Sequence, residues 1–215
     1  MLDELKDKIT KAARLAGREG RPAVLLAVTK GQSAETVKAL VEGGHRHFGE
    51  NRVQEAAAKY GPLREAYTDL RLHLIGPLQT NKVRDALALF DVIETVDRPE
   101  LVDALCKAAP RERQQFYVQV NTGEEPQKAG VTPAGLADLL DYCERAGLPI
   151  SGLMCIPPAG QPPAPHFAFL AELGKRHGLS TFSMGMSDDF EVAVMQGSTE
   201  VRLGRALFGP AVPQD

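Results

Sequence analysis

The chain has 215 residues, 43% of them hydrophobic, and a formal net charge of -3 at pH 7. This composition is ordinary for a globular protein with a large core. The chain has no basic run or aromatic-interleaved basic patch, which argues against nucleic acid as a partner. No apolar stretch reaches the roughly 18 residues needed to span a bilayer. The three cysteines are widely spaced, which argues against a disulfide framework or a zinc site, so we expect a cytoplasmic protein that holds no metal.

Apolar residues at the N-terminus recur at helical spacing with charged residues between them: Leu2, Leu5, Ile9, Ala12 and Ala16. This pattern predicts an amphipathic helix over about residues 2–19, ended by a glycine.

Eight strand-like segments follow from about residue 23 to 209, and helical patterns alternate with them. The predicted strands are 23–28, 47–49, 70–75, 92–96, 116–120, 150–156, 181–184 and 200–203. The predicted helices are one capped by Ser33, then 51–60, 81–89 and 99–108, one opening at Pro133, one from Phe167 after a proline-rich loop at 157–165, and 188–195. We expect Gly61-Pro62 to break the second of these helices.

The predicted strands are continuous apolar runs, as expected for parallel strands covered on both faces. Eight strand–helix units predict an α/β fold, a single closed (β/α)8 barrel of the TIM type with an extra N-terminal helix, as one domain over residues 1–215. An open doubly wound sheet is the alternative. That fold should carry a glycine-rich fingerprint after its first strand, where this chain has Lys30-Gly31-Gln32 instead.

Lys30 ends the first apolar strand and is the first candidate for chemistry. Loss of hydration at the rim of such a strand would make its amine a nucleophile towards carbonyls. The alternative is a lysine whose stem covers apolar surface while its head stays in water. The barrel prediction places Lys30 on the face where the C-terminal ends of the strands meet, which is where such barrels carry their active sites.

The loops after the seventh and eighth strands have features typical of a phosphate-binding site. Met186 and Ser187 lie in the first loop, where we expect Asp188 to cap the next helix together with Glu191. Ser187 would then offer a hydroxyl and a backbone N–H at a positive helix end, and Gly204 would allow close backbone approach in the second loop. A capped helix and a tight turn without a ligand remain the alternative, and the acidic residues count against an anion.

Arg202 is placed by strand parity. Residues of the same parity share a face, so Arg202 points together with Glu200 and Gly204, opposite to Val201 and Leu203. If the apolar pair faces the helices, Arg202 points into the barrel, where a guanidinium needs an acceptor. That acceptor is either an acid such as Glu200 or a ring nitrogen of a ligand.

Five blocks carry a family resemblance: AVTK at 27–30, FGENRVQE at 48–55, HLIGPLQTNK at 73–82, SMGMSDD at 183–189 and VRLGRALFG at 201–209. In this order they resemble the pyridoxal phosphate homeostasis protein family, known as the YggS/PROSC family. The resemblance runs from about residue 23 to 209.

The resemblance implies a barrel like that of alanine racemase, with pyridoxal phosphate (PLP) as the cofactor. It implies that Lys30 holds PLP as a Schiff base. It also implies that the Ser187 turn and Gly204 hold the phosphate, and that Arg202 faces the pyridine nitrogen.

Four further residues are candidates for the pocket, with roles that the resemblance specifies less. Asn51 and His73 match pocket positions of the family, and Met186 lies in the phosphate turn. Arg205 stands where some members have threonine, so it either adds charge near the phosphate or is a solvated side chain.

An arginine at the pyridine nitrogen would make PLP a weak electron sink, because it disfavours protonation there. Racemases of this type compensate with an acid/base residue from a second domain. We expect none here, because the chain continues for only about a dozen residues after the eighth strand. None of the four tyrosines ends a predicted strand.

The sequence therefore predicts a PLP carrier or buffer without turnover. We expect it to be monomeric, with PLP-requiring apo-enzymes as possible partners. A PLP-dependent amino acid racemase and a cofactor-free Schiff-base aldolase are the alternatives.

Overall fold

In the computed structural model, which describes residues 1–110 and 112–209, eight parallel strands close into a barrel and follow one another around it in chain order. The strands are β1 (Val24–Val28), β2 (His47–Glu50), β3 (Arg71–Leu74), β4 (Val92–Val96), β5 (Gln115–Gln119), β6 (Ile150–Met154), β7 (Thr181–Ser183) and β8 (Glu200–Leu203). Pairing of Val24 with Glu200 and of Leu25 with Val201 closes the barrel between β1 and β8. The predicted (β/α)8 barrel is confirmed.

Helices cover the outside of the barrel. They are α1 (Leu2–Leu15), α2 (Ala34–Glu42), α3 (Val53–Ala66), α4 (Val83–Leu89), α5 (Pro99–Lys107), α6 (Leu136–Ala146), α7 (Pro163–Arg176), α8 (Phe190–Met195) and α9 (Arg205–Phe208). A short 3₁₀ turn, Thr80–Lys82, precedes α4. The main apolar core lies between these helices and the outward-facing residues of the strands. Among the described residues, no helix combines the length and the hydropathy that crossing a membrane requires.

The predicted N-terminal helix is present as α1, which packs against α8. Its buried stripe consists of Leu5, Ile9, Ala12 and Ala13. The Arg18 guanidinium, just after the helix, donates to the carbonyl oxygens of Val194 at 3.0 Å and Ser198 at 2.8 Å. These bonds join the segment after α1 to the end of α8.

Several helix boundaries differ from the prediction; α1, for example, ends at Leu15 rather than near residue 19. Helix α3 continues through Gly61-Pro62 to Ala66, because Gly61 has no Cβ to clash with the proline ring and Leu63 gains burial in the core. Helix α7 begins at Pro163, inside the predicted loop, since proline fits the first turn of a helix. Helix α9 lies beyond the last helix that the sequence predicts.

The interior of the barrel contains a buried polar layer in place of the branched apolar residues usual in such barrels. Five inward-facing side chains form it: His73, Glu94, Tyr117, Ser183 and Glu200. Hydrogen bonds within the layer satisfy most of its polar atoms, as burial requires. The assignment of residues 1–215 to one domain stays a prediction, and residues 111 and 210–215 of that range lie outside the described part.

Candidate functional site

A cavity of about 440 Å³ lies where the C-terminal ends of the strands meet. Its lining brings together seven of the eight residues proposed from the sequence: Lys30, Asn51, Met186, Ser187, Arg202, Gly204 and Arg205. Two other cavities are larger, one of about 640 Å³ beside the end of α6 and one of about 900 Å³ between α1 and α8. Neither brings these residues together, so the cavity at the strand ends is the candidate site.

Lys30 lies two residues beyond the end of β1 and shares the inward parity of Val28, which also lines the cavity. The Lys30 side chain is exposed, so the loss of hydration expected from the sequence is not observed. Gly31, next in the chain, has a φ of 72°, a left-handed conformation that favours glycine and turns the chain away from the strand. The Lys30 amine is thus available to a molecule entering the cavity.

Arg202 is the buried cation of the site, with 4% of its surface exposed. Its Nη1 donates to the Ser183 carbonyl at 2.7 Å and to the Ser183 hydroxyl at 2.8 Å, and its Nη2 donates to the Cys155 carbonyl at 2.8 Å. Its nearest carboxylate is Glu94, 4.0 Å from Nη1, and not Glu200, the acid suggested by strand parity. No described residue accepts a hydrogen bond from Nε, which leaves this donor for an acceptor in the cavity.

The loop after β7 differs from the predicted helix cap. Helix α8 begins at Phe190, and the Asp189 carboxylate accepts a hydrogen bond from the Met186 N–H at 2.6 Å. Asp188 is paired with Arg205 across the cavity rim. The predicted capping of α8 by Asp188 is therefore wrong, because both acids bind groups that lie outside that helix.

The loops after β7 and β8 are joined at the site. The Ala206 N–H donates to the Ser187 hydroxyl at 3.0 Å, which fixes the Ser187 side chain between the two loops. Gly185 has a φ of 94°, and a Cβ there would lie 2.4 Å from the Ala193 Cβ. Only glycine at position 185 allows this turn to pack against α8. The close packing fixes the turn and thereby the position of Ser187, two residues further on.

Asn51 is half-buried and lies just after β2. A Cβ on Gly76 would lie 2.2 Å from the Asn51 carbonyl oxygen, so the loop after β3 crosses the Asn51 backbone at a distance that only glycine permits. This crossing holds Asn51 at the cavity wall.

His73 does not line the cavity. It lies deeper in the barrel, where its Nδ1 is 2.7 Å from Glu94 Oε1 and 3.9 Å from Glu200 Oε2. Burial raises the pKa of Glu200. Ile75 lines the cavity in place of His73. It lies two residues further along the chain, just beyond the end of β3, so it has the same parity as His73 and lies nearer the rim.

Sequence reasoning did not single out the apolar walls of the cavity, which include Ile75, Ile156 and Phe208. Ile75 and Ile156 lie at or just beyond the ends of their strands, and Phe208 lies in the last of the five sequence blocks. Strand parity and the position of the blocks could have indicated all three.

The charges around the cavity favour an anion. Three cationic side chains line it, and the described lining residues include two acids, Asp188 and Asp189. Burial raises the pKa of Asp189, and Arg205 pairs with Asp188, so both acids lose part of their effect on the potential in the cavity.

Comparison with known proteins finds relatives that match nearly the whole chain. The family model for the alanine racemase N-terminal domain matches residues 1–212. The pyridoxal phosphate homeostasis protein of Aquifex aeolicus is 39% identical over 220 residues, covering 97% of this chain and 96% of that protein. The protein of the same name from Escherichia coli is 37% identical, covering 97% and 94%.

Two solved structures place the fold among relatives. PipY from Synechococcus elongatus with PLP bound superposes with a TM-score of 0.78 at 36% identity, covering 94% of this chain and all of that one. Alanine racemase from Clostridium difficile has a TM-score of 0.67 at 17% identity, and the match covers 58% of its chain, which shows a shared barrel fold only. The chain therefore belongs to the pyridoxal phosphate homeostasis protein family, whose barrel matches the N-terminal domain of alanine racemase.

Proposed function

We propose that this protein binds PLP in the cavity, attaches it covalently through Lys30, and acts as a carrier or buffer of the cofactor. The observation that carries the proposal is the arrangement of Lys30 and Arg202 on one cavity. An accessible primary amine and a buried guanidinium with an unused Nε donor match an aldehyde and a ring acceptor on one small molecule. The PLP-bound PipY structure supports the same ligand.

The rest of the lining fits the remaining parts of PLP. Ser187 and the backbone at Gly204 and Arg205 provide donors for a phosphate between the two joined loops. Ile75 and Ile156 provide apolar surface for a flat ring. Asn51 offers an amide for a polar ring substituent.

Bound PLP supplies an electrophilic aldehyde and an electron-accepting ring. Arg202 limits the second of these properties, because a cation beside the ring nitrogen disfavours its protonation. Among the described residues, no tyrosine, histidine or cysteine lines the cavity as a second acid or base opposite Lys30, and its two acids are bonded to Arg205 (Asp188) and to the Met186 N–H (Asp189). These features, together with the names of the relatives, support holding the cofactor without turnover.

An absorbance spectrum tests the proposal. We expect purified protein mixed with PLP to show a visible band that borohydride removes, and we expect Lys30→Ala to lack this band while keeping its fold. An unchanged band in Lys30→Ala would rule out Lys30 as the anchor.

Amino acid racemisation is the alternative activity, and exchange of the substrate α-hydrogen reports it directly. We expect the PLP-loaded protein to exchange α-deuterium from alanine no faster than free PLP does. Exchange at an enzymatic rate that Lys30→Ala abolishes would establish an enzyme instead.

The proposal includes a cellular setting. A monomer in the cytoplasm would deliver PLP to apo-enzymes, and the three unpaired thiols of Cys106, Cys143 and Cys155 support a reducing compartment. Transfer is measured by mixing the loaded protein with a PLP-requiring apo-enzyme and following recovery of that enzyme's activity.

A further inference from the structure

The ion pair between Glu55 and Lys59 on α3 binds the peptide groups on both sides of Lys30. The Lys59 ammonium donates to the Thr29 carbonyl at 2.6 Å, and the Gly31 N–H donates to Glu55 Oε1 at 2.7 Å. Lys59 and Glu55 lie one helical turn apart and are themselves joined at 2.9 Å. The four groups form a closed ring around the backbone of Lys30.

The ring has a buried support. Lys59 Nζ also lies 2.6 Å from Glu50 Oε1, and the Thr29 hydroxyl donates to the same carboxylate oxygen at 2.7 Å. The Tyr60 hydroxyl lies 2.6 Å from the Thr29 hydroxyl. Thr29 is therefore held through its carbonyl and through its side chain, which leaves little freedom at the end of β1.

Charged groups in this position are costly. The Glu50 side chain is fully buried and that of Lys59 is 8% exposed, so both charges lose hydration on folding. Burial raises the pKa of Glu50 despite the hydrogen bonds from Lys59 and Thr29. Replacement of a buried ion pair by apolar residues of similar volume is often neutral or stabilising in proteins, so stability alone does not account for the pair.

The geometry at Lys30 indicates what the pair achieves. β1 ends at Val28, and the exposed Lys30 side chain has four rotatable bonds, so its amine is held only through its backbone. Partial burial alone would raise the pKa of Glu55, but the hydrogen bonds from Lys59 and the Gly31 N–H outweigh it and lower that pKa. The Glu55 carboxylate therefore stays charged and bonded near neutral pH.

We propose that Glu55 and Lys59 are positioning residues for the covalent anchor: they fix the backbone of Lys30 so that its amine reaches the aldehyde carbon of bound PLP. Neither side chain lines the cavity. The inference rests on the proposed function. In the step concerned, the Lys30 nitrogen bonds to the aldehyde carbon, the amine gives up two protons, and the carbonyl oxygen leaves with them as water.

Comparison of two ligands distinguishes a specific effect on the position of the Lys30 amine from a general disturbance of the cavity. PLP reports binding and covalent attachment, whereas 4-deoxypyridoxine 5-phosphate, which lacks the aldehyde, reports binding alone. The variants are Glu55→Gln, at a partly exposed side chain, and Lys59→Met, at the buried one. Glu172→Gln and Lys38→Met are matched controls, because each breaks an exposed i,i+4 pair on another helix.

We expect Glu55→Gln and Lys59→Met to slow the appearance of the visible PLP band by about tenfold, the scale of a small misplacement of reacting groups. Affinity for the aldehyde-free analogue should stay at the wild-type value, and the controls should match wild type in both measurements. Should Lys59→Met not fold, Glu55→Gln carries the test.

Attachment at the wild-type rate in folded Glu55→Gln would overturn the inference. Equal weakening of both ligands would also overturn it, because it would show a structural effect on the whole cavity. Failure of the wild-type protein itself to attach PLP at Lys30 is a different result, and it would overturn the proposed function.

Discussion

Arg202 is bound twice by Ser183, once through the backbone carbonyl at 2.7 Å and once through the side-chain hydroxyl at 2.8 Å. The same hydroxyl donates to Glu94 Oε2 at 2.6 Å. A carboxylate acceptor fixes the direction of the hydroxyl proton, which leaves the hydroxyl lone pairs for the guanidinium. The orientation of the buried arginine is therefore set from β7 and β4.

Ser183→Ala tests this relationship. It removes one acceptor from Arg202 and one donor from Glu94, both buried, so we expect the free energy of unfolding in urea to fall by about 1–3 kcal/mol. Ser151→Ala serves as the control, because the Ser151 hydroxyl makes only a long 3.4 Å bond to a carbonyl. Equal stability of the two variants would contradict the assigned role.

Substitutions of the two partners in the Arg205–Asp188 pair at the rim should change the affinity for PLP in opposite directions. If Arg205 attracts the phosphate, Arg205→Ala weakens PLP binding, whereas Asp188→Asn releases Arg205 and strengthens it. Both side chains are exposed, so each change should be modest, about two- to fivefold. Titration with PLP and with unphosphorylated pyridoxal measures the effect, and only PLP should respond. Changes of the same sign would show that Arg205 does not act on the phosphate.

Gly185→Ala should destabilise the fold strongly. The substitution places a side chain in a left-handed conformation and against the Ala193 Cβ, at a cost of about 2–5 kcal/mol. Gly17→Ala is the matched control, since Gly17 has a φ of 68° but an added Cβ there would meet no atom within 4 Å. It should cost only the backbone strain, about 1 kcal/mol. Thermal unfolding compares the two, and a smaller loss for Gly185→Ala would refute the packing argument.

His47 makes stability depend on acid pH. Burial lowers its pKa from 6.5 to about 4, and His73 and Arg71 add to the shift. His47 therefore takes up a proton more readily in the unfolded chain than in the folded protein. Its contribution to the free energy of unfolding is fully present above pH 6.5 and is lost as the pH falls towards 4. In His47→Gln, the urea midpoint should change less over this range than in wild type. Identical slopes for the two proteins would show that other groups dominate.

Local periodicity in the sequence predicts part of the fold and part of the site. Apolar runs mark the strands, and parity along a strand decides which side chains point inward, which is why Lys30 and Arg202 can be placed at the cavity. The alternation of strands and helices predicts the order of strands around the barrel.

Features that depend on partners distant in the chain escape such prediction. Asp188 resembles a helix cap locally, but Arg205 binds it from the start of α9, 17 positions away. His73 matches a cavity position by its place near a strand end, and only the register of β3 shows that it lies one layer deeper. The ring formed by Glu55 and Lys59 around Lys30 depends on how α3 lies against β2 and the turn that follows β1, which no local pattern encodes.

The covalent anchor is the central claim, and peptide mapping after borohydride reduction tests it most directly. The PLP-loaded protein is reduced and digested, and the modified peptide is identified by mass spectrometry. We predict that the pyridoxyl phosphate group is found on Lys30, and that Lys30→Ala carries no stoichiometric label on any other lysine. Stoichiometric labelling of another lysine in the wild-type protein, with Lys30 unmodified, would contradict the account.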